Sequence, residues 1–471
     1  MDELRERNIT HLTCDSRTAG PHSAFVCIEG QNADGHAYAG AAYRNGCRMF
    51  VCRHPLDLPS DAFQQVVDDP RIALAELSAS FYGNAAQRLH IIGVTGTKGK
   101  STVATMIRSV FLHAGIQTDI IGTIGMTVGG AFSHTVNSTP ESIILHESFA
   151  RMEQAGTTHV VMEVSSQAYK LHRVHGITFD CGVYTNLAPD HIGPGEHESF
   201  EDYRNCKSRL FENARFSVLN ADDAYSGFMQ EHCRGNSVTY GVDGDADYRA
   251  ENIELITDDG VPGVSFYLDG QRFTIQLPGT FNVYNALAAV AVADRFGISR
   301  RICAEALAKC TVTGRCQRVD CLPGVSFFID YSHNGLALQN ALGALRAYRP
   351  KRLICLFGSV GDRTQMRRRE LGEAAGSMCD FCILTSDNPG HEAPEKIIAE
   401  IERYVGDCPH ICITDREEAI RWAVRHAHQG DLILFAGKGH EDYQLIGSEH
   451  VPFSEESIIR DEATKLMAQH V

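Results

Sequence analysis

The sequence predicts an α/β protein built from three domains. Three observations carry that expectation. At 471 residues the chain exceeds what a single hydrophobic core usually organises. Apolar strand-like runs alternate with helical patterns from residue 89 to about 314, and the alternation restarts near residue 315. Between them, "VTGTKGKSTVATMI" (Val94 to Ile107) passes from a strand-like run through a glycine-rich turn into a helical pattern.

The elements follow in order. Residues 1–88 mix short strand-like runs ("SAFVCIEG", "CRMFVC") with the alanine-rich helical stretch "HAYAGAAYRNG". In residues 89–314, "LHIIGVTG" leads into a helix from Ser101 to Ala114, "THVVMEVSS" and "FDCGVYTNL" read as strands, and Phe200 to Asn213 reads as helix. The stretch from Ser237 to Gly279 is expected to form antiparallel hairpins, with Asp-Gly pairs marking the reversals. "NVYNALAAVAVADRFG" then returns to helix and ends on glycine. In residues 315–471, "VSFFIDYS", "RLICLFGS", "FCILTSD", "HICITD" and "DLILFAG" are five strand candidates separated by helical segments, the spacing of a doubly wound, Rossmann-like domain.

Composition excludes several classes. With 59 acidic against 43 basic residues the net charge is −16, which argues against a general nucleic-acid surface. An anionic ligand must therefore be held by local devices. No apolar run reaches the roughly 18–20 residues of a membrane span, and the start "MDELRERNIT" lacks an apolar signal region. No membrane insertion and a cytoplasmic location are expected. Among 16 cysteines, Cys379-x2-Cys382 with Cys408-x3-Cys412 imitates a zinc site. Yet Cys382 and Cys412 sit in apolar strand-like runs, so reduced core thiols are the expectation.

Gly96, Thr97, Lys98, Gly99, Lys100, Ser101 and Thr102 satisfy the physics of a phosphate cradle. The glycines permit a tight turn, backbone N–H groups and a helix N-terminus face the anion, and Lys100 adds a point charge. Ser101 or Thr102 can place a hydroxyl on Mg²⁺. Val94 stands where a full Walker A loop has its first glycine, but strand, loop and helix occur in the order that ATP binding requires. Glu163 closes "HVVMEVSS" and His191 follows the next strand in "TNLAPDHIG". Each alone is an ordinary strand-end acid or loop histidine. Their repeated placement after successive strands favours a shared metal site.

The segments "TGTKGKST", "NSTPES", "MEVSSQ", "TNLAPDH", "EDYRNCKSRLF", "NADD", "GTFNVYNALAA", "GR" at Gly314 and Arg315, "IDYSHN", "GSVGDR", "TSDNPG" and "GKGHEDYQ" occur in the order found in the Mur ligases. With "CDSR" and "GQNADGHAY" in the first domain, the chain resembles that family over essentially its whole length. "TSDNP" and "GKGHEDYQ" resemble the branch that adds the third residue of the peptidoglycan stem peptide. The resemblance implies an N-terminal UDP-substrate domain, a central P-loop-like ATPase domain and a C-terminal Rossmann-like domain. It implies ATP and Mg²⁺, a UDP-MurNAc-L-Ala-D-Glu acceptor, a free amino acid, and a monomer.

Residue by residue, the resemblance assigns ATP phosphates to Lys100 and its loop, and Mg²⁺ to Ser101, Glu163 and His191. Lys207 matches the lysine that the family carries as a carbamate, an anion near the metal. Asn282, Asn285, Arg315 and Asp330 would place the nucleotide, and His333 would help to order the reacting groups. Ser16, Arg17, Asn137, Ser138, Thr139, Pro140 and Ser165 would contact the acceptor. Arg368, Asp387, Asn388, Gly437 and Glu441 would contact the amino acid. The acceptor carboxylate would take the ATP γ-phosphate as an acyl phosphate, and the amine would then displace phosphate.

The sequence also departs from the pattern. Family members that use meso-diaminopimelate commonly carry "DNPR", and Gly390 replaces that arginine. L-lysine and meso-diaminopimelate both stay open, with Arg368 as a possible alternative charge partner. "APDHIGPGEHESF", Gln317, "DYSHNGLAL" and Gln167 also differ from the usual forms. They leave open a paralogue with a different acceptor, or a nucleotide-binding paralogue without catalysis.

Overall fold

The run His90–Thr95 is apolar on both faces, as a strand covered on both sides by helices must be, and it occupies the middle of a nine-stranded sheet. The structure is a computed structural model that describes residues 7–30, 33–190, 192–193, 195–258, 261–362 and 365–469. His159–Glu163 and Cys181–Tyr184 pair with the central strand in parallel, so all three strands end on the same edge. The glycine turn follows that central strand directly, and helix Lys100–His113 starts at its far side with Gly99 in a left-handed conformation. Ile91, Met162, Phe149, Phe179 and Phe211 meet in the core beneath this edge.

Four parallel strands, His11–Thr13, Ser23–Val26, Met49–Cys52 and Phe63–Val66, make a separate sheet. Helix Pro70–Phe81 follows, with proline in its first turn and the Asp69 carboxylate accepting from the N–H groups of Arg71 and Ile72.

The stretch expected to be all hairpins divides in two. Asn236–Gly241 and Tyr248–Arg249 extend the nine-stranded sheet in parallel. The Asp243–Gly244 turn between them is not a hairpin reversal. Its N–H groups and that of Val242 wrap around the Asp222 carboxylate at 2.6–2.9 Å. Only Glu251–Asp258, Val261–Leu268 and Gln271–Ile275 form the antiparallel sheet, with Asp269 and Gly270 both at positive φ in the second turn.

All five strand candidates of the C-terminal part are strands. They form a sheet in the order Gln317–Val319, Ser326–Asp330, Asp431–Ala436, Arg352–Phe357, Phe381–Leu384, His410–Cys412, parallel except for the first. By contacts the chain divides into two units. One runs up to Arg249 and adds Leu287–Ser299; the other comprises Ala250–Ala286 and everything from Arg300. All 16 cysteines are free thiols. Cys382 and Cys408 lie buried with sulfurs 3.7 Å apart, whereas Cys412 is exposed, so the zinc-like spacing closes no four-thiol site.

Candidate active site

The glycine loop is built from conformations and contacts that other residues cannot supply. Gly96 has φ 143°, and a Cβ there would stand 2.0 Å from the Thr185 hydroxyl. Two lysine nitrogens converge on one carbonyl: Lys100 Nζ donates to Gly96 O at 2.9 Å and Lys207 Nζ donates to it at 2.8 Å. Asn186 clamps the loop from outside, its amide oxygen accepting from Lys98 N at 2.9 Å and its amide nitrogen donating to Lys98 O at 3.1 Å. Thr97 Oγ1 lies 3.1 Å from the Tyr203 hydroxyl on helix Phe200–Glu212. That helix also carries Lys207, which is 2% exposed. Burial, and then the Lys100 charge, push the Lys207 pKa well below the ordinary lysine value.

Glu163 emerges at its strand end as expected, buried and surrounded by donors. Its carboxylate accepts from Ser101 Oγ at 2.8 Å, from Thr123 N at 2.8 Å and from Thr123 Oγ1 at 3.1 Å. A Cβ on Gly122 would come within 2.4 Å of Oε1, so that glycine admits the carboxylate. A carboxylate beside a serine hydroxyl offers oxygen donors, which suit Mg²⁺. His191, the other expected metal ligand, lies outside the described residues.

The "NSTPES" loop is stitched to the same place. Thr139 Oγ1 donates to Glu163 O at 2.9 Å and accepts from Ser165 N at 3.0 Å, while Ser138 Oγ is 2.7 Å from Thr123 Oγ1. Pro140 is buried and Asn137 exposed. Ser165 also caps the next short helix through Ala168 N. Arg173 holds the loop from beneath, donating to Glu141 Oε1 at 2.7 Å and Thr139 O at 3.1 Å. The N-terminal "CDSR" segment approaches it too. Burial, helped by nearby Glu141, raises the Cys14 thiol to about 12. Beyond it, Arg17 grips the Asp15 carboxylate at 2.6 Å in solvent, and Ser16 accepts a bond from Asn45 through its carbonyl.

In the other unit a second cluster forms at the strand ends. Asp330 accepts from Cys316 N at 2.7 Å and from the Ser332 hydroxyl. The Arg315 guanidinium lies 4.9 Å from the centre of the Tyr331 ring, and His333 Nδ1 is 2.8 Å from Tyr331 O. Asn285 donates to Asn282 Oδ1 at 2.9 Å, and Asn282 donates to Pro278 O. Fully buried Lys438 binds Asn388 Oδ1 at 2.7 Å and Glu441 Oε2 at 2.8 Å, with Asp387 at 3.8 Å. A Cβ on Gly437 would meet Asp387 Oδ2 at 2.6 Å. A Cβ on Gly314, whose φ is 67°, would stand 2.2 Å from His440 N, where the partner is backbone and cannot swing aside. Gly314→Ala is therefore expected to lower Tm by roughly 3–10 °C, the scale of about 1–3 kcal/mol of overpacking, as a thermal melt would register.

Arg368 is not a free cation. It pairs with Glu392 at 2.5 and 3.0 Å and with Glu400 at 2.6 Å, and Lys396 adds a second cation 3.5 Å from Glu392. Gly390 has φ 57°, and a Cβ there would lie 2.7 Å from Asp362 Oδ2. Gly390 is thus bordered by the Asp362 carboxylate, and Arg368 is already engaged by Glu392 and Glu400.

Thr123, Asn186, Arg173 and Lys438 were not singled out from sequence. Asn186 and Lys438 stand inside the motifs "TNLAPDH" and "GKGHEDYQ", where they could have been found. Thr123 and Arg173 carry no local signal.

Three family models match consecutive parts of the chain: "Mur ligase family, catalytic domain" at residues 8–82, "Mur ligase middle domain" at 94–293, and "Mur ligase, glutamate ligase domain" at 314–439. The chain belongs to the Mur ligase family. A Caldanaerobacter subterraneus subsp. tengcongensis relative, UDP-N-acetylmuramoyl-L-alanyl-D-glutamate--2,6-diaminopimelate ligase, is 40% identical over 461 residues, covering 96% of this chain and 94% of its own. The Geobacillus thermodenitrificans protein of the same name is 38% identical over 469 residues, covering 96% and 94%. A solved structure of a ligase with that name superposes with a TM-score of 0.69 at 27% identity, over 98% of this chain and 96% of that one. The MurF ligase of Thermotoga maritima, solved with ADP, shares the fold at a TM-score of 0.64 and 18% identity over the full length of both chains. This Mur ligase has the three-domain α/β architecture of its family and forms amide bonds, with ATP and Mg²⁺ as nucleotide and metal.

Proposed function

We propose that this Mur ligase joins a diamino acid to UDP-MurNAc-L-Ala-D-Glu through an acyl phosphate, in peptidoglycan synthesis. The observation that carries the reading is that Thr139 Oγ1 donates to the main-chain carbonyl of Glu163, the residue whose carboxylate accepts from Ser101 beside the glycine loop. Relatives that match nearly end to end bear the name of ligases for that acceptor. The domains are assigned to residues 1–88, 89–314 and 315–471, and the working form to a cytoplasmic monomer. No helix among the described residues is long and apolar enough to cross a membrane.

Lys100 and the loop amides would receive the ATP phosphates. Ser101, Glu163 and His191 would hold Mg²⁺, which when bound offsets phosphate charge during transfer. Asn282, Asn285, Arg315 and Asp330 would place the nucleotide, and His333 would steady the Tyr331 turn. Asp387, Asn388, Gly437 and Glu441 would receive the amino acid. Lys207 supports its assignment as a carbamate in two ways. Its lowered pKa favours the neutral amine that CO₂ requires, and a carbamate keeps one N–H for Gly96 O.

The names of the relatives favour 2,6-diaminopimelate as the amino acid. One observation favours L-lysine: the Asp362 carboxylate borders Gly390 and Arg368 is held by Glu392 and Glu400, which suits an amine end over a second carboxylate. Phosphate release with the acceptor and a panel of amino acids tests the function. No release with any of them would refute it. Gly390→Arg is expected to raise the diaminopimelate-to-lysine ratio of kcat/KM by about tenfold, the worth of one charge-assisted hydrogen bond. It should also cost stability, because residue 390 sits at positive φ. A wild type already selective for diaminopimelate would discard the lysine reading.

A further inference from the structure

We propose that His197 is a positioning residue, a brace that sets the helix bearing Lys207 against the helix that begins beside the acceptor loop. Its side chain is 0% exposed and lies between two elements. Nδ1 is 2.9 Å from Asp202 Oδ2 on helix Phe200–Glu212, and Nε2 is 2.8 Å from Ser166 Oγ on helix Ser166–Lys170. A carboxylate can only accept, so Nδ1 carries the proton and Nε2 accepts the serine hydroxyl. Lys170 Nζ donates to the same Asp202 oxygen at 2.7 Å and to Glu196 O at 3.0 Å, closing the network across the loop that contains His197.

His197, Asp202 and Cys206 offer ligand atoms within 4.8 Å of one another, the spacing of a metal site. The hydrogen bonds speak for a brace. Both imidazole nitrogens are used, and the Lys170 ammonium already neutralises the carboxylate. The Cys206 thiol is pushed up to about 11 by burial and by Asp202, so it stays protonated.

Each end of the brace leads to one reactant. From Asp202 the helix runs through Tyr203, which meets Thr97, to Lys207, which meets Gly96, both in the phosphate loop. From Ser166 the chain steps back to Ser165, whose N–H is bonded to Thr139. Transfer of the γ-phosphoryl group to a carboxylate demands that both reactants be held in line, and a displacement of about 1 Å can cost on the order of 10²-fold in rate. One imidazole with two opposed nitrogens spans the gap at a fixed length, which a flexible amide does not. The inference rests on reading the Thr139 loop as the acceptor side.

The test uses the full chain with His197→Gln, Ser166→Ala and the double variant. His197→Gln is expected to lower kcat roughly 10- to 100-fold. The Kd for ADP, measured by calorimetry, should stay within about twofold, since no phosphate-loop group is removed. Hydrogen exchange at residues 195–199 should quicken. Ser166→Ala should lose less, Ser166→Thr should recover most of that loss, and the double variant should be no worse than His197→Gln. If His197→Gln does not fold, the serine pair alone decides. A folded His197→Gln with wild-type kcat, additive losses, or no recovery by threonine would each overturn the brace. The acceptor reading fails separately, if Thr139→Ala leaves the acceptor KM unchanged while His197→Gln still lowers kcat.

Discussion

Lys207→Ala is expected to lower ligase turnover by roughly 10²- to 10³-fold, the scale for removing one preorganised charged group from a reacting centre. The side chain is buried, points at the phosphate loop and makes its hydrogen bond to Gly96 O. An ammonium there would stand beside Lys100, an arrangement that burial and like charge both oppose. A carbamate reverses the sign and supplies an anion beside the glycine loop. Alanine also removes the buried methylene stem, so the fold must be shown intact before the loss of turnover is read as lost charge. Circular dichroism and ADP formation together check this. Small carboxylates added to Lys207→Ala should restore part of the rate if the missing group is an anion. Undiminished turnover would refute the assignment.

Lys100→Ala should cut ADP formation by about 10²-fold or more, through lost stabilisation of charge on the transferring phosphoryl group. At present its ammonium rests on Gly96 O and Thr97 O, within the loop it serves. The loop's glycine conformations and the Asn186 clamp do not depend on it, so nucleotide affinity should fall less than kcat. Pre-steady-state ADP release separates the two. An unchanged burst would mean that the loop holds some other anion.

The glycine loop, Glu163 at its strand end and the five C-terminal strands were legible because each is a local pattern. Strand, turn and helix succeed one another within a few residues, and apolar runs mark buried strands wherever they pack. The Asp243–Gly244 turn was misread for a matching reason. Whether that turn reverses a hairpin depends on what meets its N–H groups, and the Asp222 carboxylate that does so lies 20 to 22 residues away. His197 shows the same limit. Nothing local marks it in the sequence, because its partner Ser166 lies 31 residues away along the chain.

The sequence by itself determined the family, the phosphate cradle and the order of the domains' motifs, since these rest on backbone conformation and on short-range succession. The tertiary structure alone decided which groups burial perturbs and which are already engaged by partners. Lys207 meets Gly96 across 111 residues, and Arg368 is neutralised by carboxylates 24 and 32 residues away. Burial and Coulomb partners set a pKa or occupy a guanidinium, and both arise from packing between segments whose separation along the chain carries no distance in space.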